Sequence, residues 1–159
     1  MKNLKVNIGL SEKERKDVAN GLGDLLADSY SLYLKTHNFH WNVEGPMFRS
    51  LHLMFMEQYT DMWTALDEIA ERIRALGHYA PGTYAEFLKR STIKDSKGIP
   101  KAPKMVEELV QGHESVIQTL RMVCDLAETV KDQPTLDLVT RRLEFHEKTA
   151  WMLRSVIKA

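Results

Sequence analysis

With a single cysteine, Cys124, the chain cannot be held by a disulfide framework. Cys124 falls in an apolar helical stripe, where a small buried side chain is expected, and a lone thiol fits a reducing compartment. Net charge is also missing: 22 Lys and Arg balance 22 Asp and Glu, which argues against a surface built as a whole for a polyanion. No run approaches the roughly 18 apolar residues of a membrane span, and the opening MKNLKVNIGLSEKE lacks the apolar core of a signal peptide. These absences point to a soluble, cytoplasmic protein. No glycine-rich phosphate loop, strand alternation or long internal repeat occurs either. What remains is an all-α chain of 159 residues, enough for one domain that buries roughly 70% of its unfolded surface without needing a metal.

Ser11 and Glu14 form a capping box, so a first helix is expected to start there and leave residues 1–10 as a flexible arm. The arm carries only Lys2 and Lys5, thin for a tail that neutralises phosphates. Val18, Leu22, Leu25, Leu32, His37 and His40 lie on one stripe of this helix. Gly45-Pro46 ends it, and a second helix to Leu76 is expected to bury Phe48, His52, Phe55, Tyr59, Met62, Leu66, Ile69 and Ile73. Ala80 to Pro100 then forms a long connection around a short amphipathic piece, Tyr84 to Lys89. Two further helices are expected from Pro103 to about Val130 and from Pro134 onward, their stripes including His113 and His146. Residues 11–159 thus read as one four-helix bundle with a long crossover.

Chemistry concentrates between His37 and Gly77. His40 should close one helix and His52 open the next, twelve residues later, so that two imidazoles flank a corner. Asp67 and Glu71 lie one turn apart further down the second helix. Asp67 is fifteen residues from His52, about 22 Å along a helix axis, too far to share a metal within one chain. A second copy packed antiparallel about a two-fold axis would bring its acids to the first copy's histidines. Imidazole with carboxylate suits iron, manganese or zinc. The intra-bundle di-iron centre built on Glu-x-x-His is excluded, since Leu34, His37, Arg49, Ala75, Val110 and Leu143 stand three residues before the six histidines. The plainer alternatives are hydrogen-bonded interface histidines and a solvated acidic face, with Glu71 paired to Arg74.

Taken together, HNFHWNVEGPMF, the His40 to His52 spacing, DEIAERIRALG, APGTYAEF, GHESVI and HEKTAWMLRS span the chain, and it closely resembles the Dps proteins, the twelve-subunit mini-ferritins. The resemblance implies a ferritin-like four-helix bundle in a homododecamer, with ferroxidase centres at two-fold interfaces. His40 and His52 would come from one subunit and Asp67 and Glu71 from its mate. Such proteins oxidise Fe(II), preferentially with hydrogen peroxide, store the ferric mineral and protect against oxidative stress. Zinc or manganese could occupy the same ligands. Trp41 would lie near the centre, where an indole could trap a radical or supply an electron. Glu128, Asp132 and Asp137 resemble residues lining three-fold pores, although Asp132 before Pro134 also reads as a helix cap. His37 reads as a supporting residue, and His113 and His146 as hydrogen-bonded core or interface groups. One position departs: Met56 stands where the family has Asp or Glu, and a thioether is a poor ligand for iron. Weaker iron binding is therefore expected. The alternative function is a DNA-coating nucleoid protein with little ferroxidase activity.

Overall fold

The computed structural model describes residues 4–158. Five helices follow one another: α1 (Glu12–Asn42), α2 (Phe48–Ala75), α3 (Tyr84–Arg90), α4 (Ala102–Val130) and α5 (Gln133–Val156). Among the described residues there is no strand. α1 packs on α2 and α4, α4 on α5, and α2 touches α5, which closes a four-helix bundle with α3 laid against α1.

Local chemistry sets the boundaries. Ser11 Oγ accepts from Glu14 N at 3.3 Å while Glu14 accepts from Ser11 N at 2.7 Å, the reciprocal cap expected for α1. Thr83 and Glu86 repeat the device at the start of α3. Gly77 ends α2 with φ +91°, and a Cβ there would lie 2.8 Å from both Arg15 Nη1 and Val6 Cγ2. Val6 thus lies against the end of α2. α4 ends on Lys131 in the left-handed region, φ 58°, and Asp132 caps α5.

The core is apolar, with Phe39, Phe55, Leu22, Leu32, Ile69 and Leu109 fully enclosed. Polar clusters interrupt it. Asp28 on α1 accepts from Thr92 N at 2.6 Å, Thr119 Oγ1 at 2.7 Å, and the hydroxyls of Ser91 and Thr92 at 3.0 Å, pinning the end of α3 to α1 and α4. His113 and His146 meet Nδ1 to Nδ1 at 2.9 Å in the α4–α5 seam. One ring must donate and the other accept, so the contact suits two neutral imidazoles, while His113 Nε2 is buried without a partner. They are core groups, as their stripe positions suggest.

The α2 stripe differs from expectation at its start. Phe48 is 46% exposed and His52 half-buried, whereas Leu51 and Phe55 are enclosed. Since His52 pairs with His40, Phe48 lies level with the Val43–Pro46 loop, where α1 no longer covers it.

Candidate metal centre

The Gly45-Pro46 turn folds α2 back along α1 and sets His40 against His52. His40 Nδ1 donates to the carbonyl of His52 at 2.7 Å, and His52 Nδ1 donates to the carbonyl of His40 at 2.8 Å. A carbonyl oxygen only accepts, so both Nδ1 atoms carry the proton and both Nε2 atoms keep a lone pair. The rings stack, 3.8 Å between centres and 19° from parallel. Each imidazole is thereby fixed in the tautomer and orientation that a metal ligand needs, by the other's backbone.

Asp67 and Glu71 are exposed and make no hydrogen bond or ion pair among the described residues. Arg74 does not pair with Glu71; it donates to the carbonyl of His78 at 2.9 Å and covers the Tyr79 ring. With 100° per residue, His52, Met56, Trp63, Asp67 and Glu71 share one outward face of α2. Asp67 also borders a groove of about 580 Å³ with Trp63, Tyr30 and Phe87. Among the described residues no three His, Cys, Asp or Glu side chains gather into a cation site within the chain.

A ferritin-like domain model matches residues 19–159. The DNA protection during starvation protein 2 of Bacillus anthracis is 39% identical over 142 residues, covering 89% of this chain and 97% of the relative. The chain belongs to the Dps family. An uncharacterised low temperature-induced protein of Nostoc is 46% identical, over 97% of this chain and 87% of its own length. The crystal structure of the Dps protein of Vibrio cholerae O1, described as a member of a superfamily of ferritin-like diiron-carboxylate proteins, superposes with a TM-score of 0.92 at 31% identity, over 98% and 99% of the two chains.

Met56 is 39% exposed on the outward face, one turn after His52, and offers only a soft thioether there. Trp41 is 60% exposed and packs on His37 at 4.1 Å, a ring that in turn stacks on Tyr59. Burial of His37, with His40 nearby, lowers its pKa.

The acids at the α4–α5 turn separate. Asp132 is buried, accepting from Arg72 Nη2 and Thr135 Oγ1 at 2.6 Å each. Burial opposes its ionised form, but these donors outweigh it and hold the carboxyl below the usual range. The capping role thus occupies Asp132, whereas Glu128 and Asp137 are exposed, the latter paired with Arg141.

A zero net charge concealed one feature. Between Leu88 and Met105 six cations, Lys89, Arg90, Lys94, Lys97, Lys101 and Lys104, stand against one acid, Asp95. Arg90 and Lys104 are paired with Asp24 and Glu107, but Lys94, Lys97 and Lys101 make no ion pair among the described residues. Lys35, Lys94, Lys97 and Lys104 border a cleft of about 650 Å³. A local rather than global charge count would have found it.

Proposed function

We propose that this Dps-family protein oxidises Fe(II) with hydrogen peroxide at centres shared between two subunits and stores the ferric product inside a homododecameric shell, limiting oxidative damage. The observation that carries this reading is the reciprocal His40–His52 lock, combined with solvent-facing carboxylates on the same helix face. Each subunit offers half a ligand set in a form suited to a borderline-hard cation.

His40 and His52 bind Fe(II) through Nε2, and Asp67 and Glu71 of the mate supply anionic oxygen that favours the ferric product. Exposed apolar Trp41, Phe48, Leu53, Met56 and Trp63 surround these ligands, and burying them against the mate would exclude bulk water from the reaction. Peroxide takes two electrons in becoming water, so two Fe(II) per peroxide leave no hydroxyl radical. Glu128 and Asp137 would line a cation entry path. Fe(II) is the substrate in this reading, and zinc or manganese would compete for the same atoms.

Anaerobic Fe(II) titration followed by parallel additions of peroxide and oxygen tests it. Saturable binding, and oxidation faster with peroxide than with oxygen, are expected. Oxidation no faster than in buffer would reject it.

The basic segment supports a second reading, a DNA-coating role, through Lys94, Lys97 and Lys101 rather than the arm. A gel shift that weakens steeply with salt, and is lost when these three lysines become alanine, would favour it.

A further inference from the structure

Rings between α1 and α2 touch in succession, leading away from the histidine corner. Tyr59 meets His40 edge-on with 5.1 Å between centres and stacks on His37 at 4.1 Å. Tyr33 lies 6.3 Å from Tyr59 and 5.7 Å from Trp63, and its Oη sits 3.4 Å from His37 Nδ1. Trp63, 60% exposed, stands one turn before Asp67 on the outward face of α2. The rings therefore join the histidine half of one centre to the helix end that carries acids for another. Packing requires only bulk here. A phenol bonded to an imidazole, with an indole at the surface end, offers redox chemistry that leucine or phenylalanine would not.

Resting on the ferroxidase reading, we propose that Tyr59, Tyr33 and Trp63 carry an electron from the Asp67 end of α2 to the His40/His52 corner, so that peroxide at a corner holding one Fe(II) still receives two electrons. Met56 gives this path a purpose, because a centre short of one carboxylate fills its second iron position poorly. Fe(II) at the corner gives one electron and becomes Fe(III). Tyr59 gives the second and is refilled from Tyr33, whose phenolic proton passes to His37 Nδ1. Peroxide takes both electrons with two solvent protons and leaves as two waters. Fe(II) in the neighbouring centre, beside Trp63, then returns an electron to Tyr33, and His37 returns the proton. In sum two Fe(II) are oxidised, one peroxide is reduced and two protons are consumed.

Pulse radiolysis of the metal-free protein tests the path directly. Trp41→Phe and Trp151→Phe leave Trp63 as the indole that azide radical oxidises. Its radical should decay by first-order, concentration-independent transfer as a phenoxyl radical grows, and this transfer should be lost on adding Tyr33→Phe, which keeps the ring. Absence of phenoxyl growth, or growth unchanged by Tyr33→Phe, would overturn the proposal. In a second arm, protein with substoichiometric Fe(II) and excess peroxide should show a phenoxyl signal and no spin-trapped hydroxyl radical. Tyr59→Phe, which removes the donor that meets His40, should release hydroxyl radical; equal trapping in both proteins would also overturn the proposal. An intact protein that oxidises Fe(II) no faster than buffer rejects the ferroxidase reading alone, because the radiolysis arm uses no metal.

Discussion

His40 and His52 hold each other: the Nδ1–H of each is bonded to the backbone carbonyl of the other, at 2.7 and 2.8 Å. Removing either ring takes away one ligand and also the stacked face against which the other ring is held, 3.8 Å between centres. His40→Ala and His52→Ala should each weaken Fe(II) binding by about 10–100-fold or more, and the double variant should be little worse than either single one. Anaerobic calorimetric titration reads this coupling. Independent, additive losses would show that the two imidazoles do not act as a unit.

Met56 is 39% exposed on the outward face of α2, one turn from His52. Met56→Glu should raise the number of Fe(II) bound per centre and speed oxidation by peroxide, while Met56→Gln, similar in size and uncharged, should do less. Unchanged stoichiometry and rate in Met56→Glu would remove Met56 as the limiting residue.

Asp28 binds four donors from two segments of chain, residues 91–92 and Thr119, and the crossover has no other buried anchor of this kind among the described residues. Asp28→Ala leaves the Thr92 N–H without its acceptor and the Thr119 hydroxyl with only its 3.3 Å bond to the Ser115 carbonyl, a loss of roughly 2–4 kcal/mol. Urea unfolding measures the stability, and faster proteolysis within residues 91–101 should accompany it. Wild-type stability in the variant would contradict the anchoring role.

Burial, with the Arg142 charge nearby, pushes His113 down to about 3 and lowers His146 well below its ordinary range. Unfolded histidines take up protons near pH 6.5, while these two stay neutral in the fold. Stability is therefore full above about pH 6.5 and falls with pH toward 3, by about 1.4 kcal/mol per pH unit for His113, with His146 acting in the same direction. His37, also lowered, adds in the same direction. Urea unfolding between pH 7 and 5 measures the slope. Replacing His113 and His146 together by leucine should flatten the slope; an unchanged slope would contradict their neutral burial.

Much of the fold was legible because its boundaries are local chemistry. Ser11 with Glu14, Gly45-Pro46, and the prolines 103 and 134 mark helix ends through hydrogen bonds and φ restrictions that act within a few residues. The pairing of His40 with His52 across a corner was legible for the same reason. What a single sequence concealed was of another kind. Helical periodicity marks Phe48 as apolar but does not tell a residue facing its own core from one facing a neighbour. The donation of each Nδ1 to a carbonyl, the contact of Tyr33 with His37, and the capture of Asp132 by Arg72 all depend on how helices distant in sequence settle against each other. The basic segment was hidden by averaging charge over the whole chain.

The central claim is that histidines and acids of one centre come from different subunits. Subunits carrying His40→Ala and His52→Ala are to be mixed with subunits carrying Asp67→Ala and Glu71→Ala, dissociated and reassembled. Each parent should be inactive alone. In a mixed pair one centre loses both halves and the other keeps both, so random reassembly should restore about a quarter of the wild-type rate of Fe(II) oxidation by peroxide. No recovery above the two parents in reassembled mixed dimers, or wild-type activity in either parent, would contradict the account.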